Sequence, residues 1–151
     1  MVEGVTSVRI VPASVLDLPA ITALLNDLEL PTEGVADQFP RAYVTAVRDS
    51  GAIVGCAGLE TYEGGGLLRS VAVSREAQKA GVGRALVAER LGAARAMSLD
   101  AVYLLTTTAS NYFPRLGFVA IDRSAVAAPV ATSPEFASVC PSSARCFVFR
   151  L

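Results

Sequence analysis

The residues best spaced for chemistry lie between Leu67 and Arg84. A β-type run, Leu67 to Val73 (LLRSVAV), is followed four residues later by Gln78-Lys79-Ala80-Gly81-Val82-Gly83, and then by a stretch with helical periodicity. Gly81 and Gly83 carry no Cβ, so a ligand can come close to the main chain there. The first N–H groups of the following helix have no partner within it and lie at the positive end of its dipole. Such a loop can hold a phosphate or pyrophosphate on backbone donors, with Arg84 and Lys79 adding charge. An ordinary strand-to-helix turn has the same outline. Two other nucleotide-binding patterns are excluded. No Gly-Lys-Ser/Thr follows, and Leu86 rather than Gly stands three residues after Gly83.

Composition narrows the chemistry further. The chain contains no His, which excludes a Ser-His-Asp triad and every His-based metal site. Its three cysteines, Cys56, Cys140 and Cys146, are odd in number and form no C-x-x-C. Reduced, mostly buried thiols in a cytoplasmic protein are expected, with no metal. A formal net charge of −1 with no basic block gives no reason to expect nucleic acid as a partner. The opening MVEGVTSVRIVPAS lacks a basic region followed by a long apolar one, and no run of about 18 apolar residues occurs. Neither a signal peptide nor a membrane span is expected.

The elements that must position the loop follow from periodicity. Val8 to Val11 predicts a strand. Ser14-Val-Leu-Asp17 predicts a capping box, with Pro19 in the first turn of a helix whose buried face is Leu18, Ile21, Leu24, Leu25 and Leu28. A short helical or irregular stretch follows over 35–39. Strands are predicted at 41–49, 52–61 and 67–73, separated by turns at Ser50-Gly51 and Gly64 to Gly66, which implies an antiparallel meander. A helix over 84–97, a strand over 101–106, a short helix over 109–116 ending at Gly117, and final strands at 118–121 and 145–151 complete the order. The result is a mixed α+β chain, expected to be one domain over 1–151, with 151 residues to build one core.

The loop resembles motif A of the GNAT acetyltransferases, whose pattern is R/Q-x-x-G-x-G/A: Gln78, Gly81 and Gly83 occupy its three fixed positions. Asn111 to Phe118 (NYFPRLGF) resembles the family's next motif, and element order agrees from Val8 to Phe118. A closer resemblance is to the arsenic-resistance N-acetyltransferases, carried by Gly58 to Tyr62 (GLETY), Leu67 to Val73, Tyr103 to Ala109 (YLLTTTA) and Cys140 to Ala144 (CPSSA). Those proteins are thought to acetylate small amino acids, including arsenic- or phosphorus-containing glutamate analogues. The acetyltransferase domain of N-acetylglutamate synthases is a more distant relation.

The resemblance implies the acyl-CoA N-acyltransferase fold, a mostly antiparallel twisted sheet splayed between the parallel strands 67–73 and 101–106 and flanked by helices. It implies acetyl-CoA as cosubstrate. Val71, Ala72 and Val73 would meet the pantetheine, with Val71 N–H, aimed by a bulge, facing the thioester oxygen. Gln78, Lys79, Ala80, Gly81, Val82, Gly83 and Arg84 would hold the pyrophosphate. Asn111 and Phe113 would meet the cofactor. The family's usual acid is a Tyr at the position of Phe113, so either Tyr112 replaces it or the thiolate leaves unassisted. A neutral acceptor amine needs a base, and without His a carboxylate must serve. Glu60 is the candidate, acting through one water, against the alternative of an exposed hairpin-end Glu. Arg69 suits a carboxylate, phosphinate or arsinate on the acceptor, with Ser70 and Thr107 adding hydroxyls. Strand alternation puts Arg69 on one face with Val71 and Val73, and a solvent-facing Arg is its alternative. Cys140 and Ser142 would line the pocket. A thiophilic arsenic site would want two or three sulfurs, so Cys140 reads as a single buried thiol.

The expected activity is acetyl transfer to a small amine. Its alternatives are an ordinary metabolite acceptor such as glutamate and a CoA-binding sensor without turnover. A monomer or homodimer fits.

Overall fold

The computed structural model describes residues 8–139 and 143–151. The expectations for Cys140 and Ser142 lie outside the described residues. In chain order the elements are β1 (Val8–Pro12), α1 (Leu18–Asp27), β2 (Tyr43–Arg48), β3 (Ile53–Tyr62), β4 (Gly65–Val73), α2 (Val82–Ala96), β5 (Ala101–Thr106), β6 (Val119–Ile121), α3 (Ala128–Ala131) and β7 (Arg145–Arg150). The strands form a seven-stranded sheet in the order β1-β2-β3-β4-β5-β7-β6. Only the β4–β5 pairing is parallel among the described registers. It runs from Gly65↔Ala101 to Leu67↔Tyr103. By contrast, β5 pairs with β7 along its whole length. The chain groups into two compact units, one of the described residues to Gly58 with Ser70–Ala88, the other of Leu59–Arg69 with Glu89–Leu151.

In the first unit the predicted capping box is present. Ser14 N–H donates to Asp17 Oδ2 at 2.8 Å, and Ser14 Oγ accepts from Leu16 N–H at 3.3 Å. It caps a short 3-10 turn that leads into α1, with Pro19 in the helix's first turn. Apolar residues at helical spacing then bury one face of α1: Ile21 and Leu25 are fully buried, with Leu18, Leu24 and Leu28 partly so. They pack with Val35, Tyr43, Cys56 and Ala72. A second cluster joins Val44, Ala46 and Val54 to Ala77, Val82 and Leu86, which seats the start of α2. Fully burying one such Leu or Ile contributes about 1.5–3 kcal/mol.

In the second unit β4 begins at Gly65, two residues before the predicted start. Gly65 and Gly66 are strand residues rather than turn residues, and a Cβ at Gly66 would lie 2.8 Å from Leu59 Cδ1. Gly64 makes the turn. The core gathers Leu67, Tyr103, Val130, Phe136, Cys146 and Val148. Helix α2 also starts earlier than periodicity suggested, at Val82, so Gly83 lies in its first turn. The helix expected over 109–116 is only a 3-10 turn over Phe113–Leu116, since Pro114 supplies no N–H. The segment 122–139, for which no element was expected, carries α3 and a π-helical turn, Glu135–Val139. Among the described residues no helix is long and apolar enough to cross a membrane.

Candidate active site

In the first unit the site begins at the end of β4. Ser70 sits at φ +57°, a left-handed residue inside an extended strand. Such a residue marks a bulge and interrupts the alternation of side chains. Two groups hold it. The Ser70 and Tyr43 hydroxyls share a hydrogen bond of 3.1 Å, and Cys56 Sγ donates to Ser70 O at 3.2 Å. Burial pushes the Cys56 thiol up to about 12, so it remains a protonated donor. Beyond the interruption Val71 and Val73 pack on the cluster of Val44 and Ala46, and Ala72 on that of Ile21 and Leu25. The shared face expected for Arg69, Val71 and Val73 is therefore corrected: regular alternation stops at Ser70.

The loop follows directly. Gln78 Nε2 donates to Val73 O at 2.9 Å, which ties the loop to the strand end. Lys79 lies at φ +71° and Gly81 at φ +84°. Gly81 is required by that backbone angle and not by crowding, because a Cβ there would meet nothing within 4 Å. Gly81 O accepts from Ala85 N–H at 3.1 Å as α2 opens. The N–H groups of Val82, Gly83 and Arg84 therefore precede the first helical hydrogen bonds. Lys79, Ala80, Gly81 and Arg84 are exposed. A groove of about 320 Å³ adjoins the loop, lined in part by Ala80, Gly81, Val82 and Arg48. Open space over a left-handed glycine, backbone donors and flanking cations make this a fitting cradle for a diphosphate. Ser74 Oγ, at the strand-to-loop junction, is buried with no hydrogen-bond partner among the described residues.

The second unit holds a buried polar cluster. Arg69 is 3% exposed and Glu60 2%. Arg69 Nη1 donates to Glu60 Oε2 at 3.2 Å, and Arg69 Nη2 lies 3.4 Å from Glu135 Oε1. Tyr62 OH donates to Glu60 Oε1 at 2.6 Å. Burial pushes the Tyr62 hydroxyl above its usual range. The hydrogen bond to Glu60 adds to that, while a hydrogen bond from Ser133 opposes it. Tyr62 is thus a protonated donor at neutral pH. Neither Glu60 nor Arg69 is the exposed residue that the alternative readings offered. The cluster closes on itself, since Ser133 and Glu135 belong to one short segment and reach Tyr62 and Arg69 respectively.

The other predicted residues of this unit are placed as follows. Asn111 and Thr107 are exposed. Phe113 is buried, edge-on to Tyr112 at 5.2 Å and to Phe118 at 5.7 Å between ring centres. Cys146 is buried in β7, and burial raises its thiol to about 11. Sequence reasoning missed Tyr62, Ser133 and Glu135. Tyr62 carries a signal, for it stands two residues from Glu60 on the same strand face. The other two lie where no periodicity exists.

The geometry can be compared with known proteins. The family described as acetyltransferase (GNAT) domain matches residues 40–120, which include β2 to β5 and the loop. The amino-acid acetyltransferase of Neisseria meningitidis serogroup A is 30% identical over 111 residues, covering 68% of this chain and 25% of that protein. That of Ralstonia nicotianae is 31% identical over 114 residues, covering 71% and 25%. The chain thus matches about a quarter of the length of these curated relatives. The N-acetylglutamate synthase of Neisseria gonorrhoeae, solved with coenzyme A and N-acetyl-glutamate, superposes with a TM-score of 0.83 at 25% identity, over 96% of this chain and 35% of that one. A Mycobacterium tuberculosis protein solved with CoA and NLQ superposes with a TM-score of 0.80 at 24% identity, over 95% and 99%.

Proposed function

The chain belongs to the GNAT acetyltransferase family, and we propose that it moves the acetyl group of acetyl-CoA to the primary amine of a small amino acid with an acidic side chain. The observation that carries this reading is the loop: Gly81 held left-handed under open space at the head of α2, within the stretch that matches the family. Relatives named amino-acid acetyltransferase, and a similar fold solved with N-acetyl-glutamate, support a glutamate-like acceptor. The resemblance of Gly58–Tyr62, Leu67–Val73 and Tyr103–Ala109 to arsenic-resistance acetyltransferases narrows it to arsenic- or phosphorus-containing glutamate analogues. Free thiols and a thioester cosubstrate both suit a reducing cytoplasm.

Lys79 to Arg84 hold the diphosphate on backbone N–H groups and the two cations, while Gln78 fixes the loop to Val73. Coenzyme A supplies an activated acetyl thioester. Val71 N–H, which follows the left-handed Ser70, is the donor for negative charge developing on the thioester oxygen. Arg69 takes the acceptor's acid group. Glu60 takes the amine proton, through a water or the Tyr62 hydroxyl, which already donates to it and can pass a proton on. Phe113 has no proton to give, and a thiol with a pKa of about 8.5 leaves as thiolate without one.

Incubation with acetyl-CoA and a panel of amino acids, read by mass spectrometry, tests the reading. N-acetylated glutamate or its phosphinic analogue is the expected product. Coenzyme A binding with no product across the panel would instead make the chain a sensor.

A further inference from the structure

We infer that Glu135 occupies the acceptor's acid subsite from within, holding the second arm of Arg69 until an acidic acceptor displaces it. This rests on the reading that Arg69 receives the acceptor's acid group.

The first ground is access. Arg69 is 3% exposed and lies between Glu60 and Glu135, themselves 2% and 5% exposed. An acceptor reaches this guanidinium only if one of its present neighbours leaves. The second ground is charge. One guanidinium already faces two carboxylates, so a third anion added beside them would be strongly disfavoured in a buried site. An exchange of one carboxylate for another leaves the local charge unchanged. The third ground concerns which carboxylate goes. Glu60 stands in β3 and is also held by Tyr62 at 2.6 Å. Glu135 stands on the five-residue π-helical turn between β6 and β7, at the longer distance of 3.4 Å. Ser133, two residues before Glu135, hydrogen-bonds Tyr62. The turn is fastened at Ser133, at Glu135 and at Phe136, whose O accepts from Arg123 Nη2 at 3.2 Å, and loss of the ion pair removes one of these fastenings.

The acceptor's acid thus competes with an internal carboxylate, and neutral amino acids gain nothing by displacing it. Selectivity for acidic acceptors follows at a cost in apparent affinity, because only the fraction of molecules with Glu135 away is competent.

The test compares L-glutamate with L-norvaline, which has no side-chain acid. In the Glu135→Gln variant, KM for L-glutamate should fall about tenfold if Glu135 holds Arg69 about nine-tenths of the time. KM for L-norvaline should move less than about twofold on the same arithmetic. In the wild type with coenzyme A bound, hydrogen exchange over 128–137 should rise with L-glutamate and not with L-norvaline. That second measurement decides the matter if the variant does not fold. Equal wild-type KM values for the two acceptors would overturn the acid-subsite reading and this inference with it. A wild-type preference for L-glutamate, with its KM unchanged or raised in Glu135→Gln, would overturn the exchange alone. So would unchanged hydrogen exchange.

Discussion

Glu60 and Arg69 meet at 3.2 Å from adjacent arms of a hairpin, with both side chains withdrawn from water. A buried pair of this kind is worth little against an apolar substitute, yet breaking it is expensive because a charge is left behind. Here the expense is larger on one side, since Glu135 shares the same guanidinium.

Removal of the cation should therefore be the damaging change. Arg69→Met is expected to destabilise the protein by about 3–5 kcal/mol, because two buried carboxylates each lose an ion-pair partner. Urea denaturation checks this. A loss under about 1 kcal/mol would mean that water or another group compensates the carboxylates.

Glu60→Gln keeps the side-chain shape and removes its basicity. Turnover should fall by about 100-fold near pH 7, the lower end for proton-transfer catalysis. The deficit should shrink as pH rises past about 8, where the acceptor amine loses its own proton. A pH–rate profile parallel to that of the wild type would remove Glu60 from the base role.

The Cys56 thiol gives a separate prediction for alkaline pH. Its pKa is raised by burial from 9.0 to about 12. The stability it contributes is fully present below 9.0, where folded and unfolded thiols are both protonated. It is lost between 9.0 and about 12 as the unfolded thiol ionises and the folded one does not. The slope due to this group approaches about 1.4 kcal/mol per pH unit. Urea midpoints measured from pH 8 to 11 should fall, and Cys56→Ala should show a shallower fall. Equal slopes would contradict the assignment.

Ser70 is the residue on which the Val71 donor depends. Ser70→Val places a β-branched side chain at φ +57° and removes the hydroxyl bonded to Tyr43, so a loss of about 1–3 kcal/mol is expected. Ser70→Gly should cost less and retain turnover. If Ser70→Val matched wild type in turnover and thermal midpoint, the bulge would have no role.

Periodic elements were legible before the structure: β5 spans Ala101–Thr106 as its apolar run suggested, and α1 buries the face its leucines mark. The loop was legible too, through Gln78, Gly81 and Gly83. The ion pair was half legible, since Glu60 and Arg69 stand four residues before and five after the Gly64 turn. What remained hidden had physical reasons. A serine gives no glycine-like sign of a left-handed angle, so the bulge that the resemblance implies on this strand has no residue-type signal to place it at Ser70. Glu135 lies in a stretch punctuated by Pro129 and Pro134, where neither helical nor strand alternation marks a side chain for burial.

The central claim is that the main chain from Lys79 to Arg84 holds the diphosphate of coenzyme A, and calorimetric titration of the wild type and Gly81→Asp with coenzyme A tests it most directly. Aspartate there adds negative charge at the helix head and forces a side chain onto φ +84°. The wild type should bind with measurable heat, and the variant at least about tenfold more weakly, a difference of about 1.4 kcal/mol. No heat from the wild type, or equal affinity in the two proteins, would contradict the account.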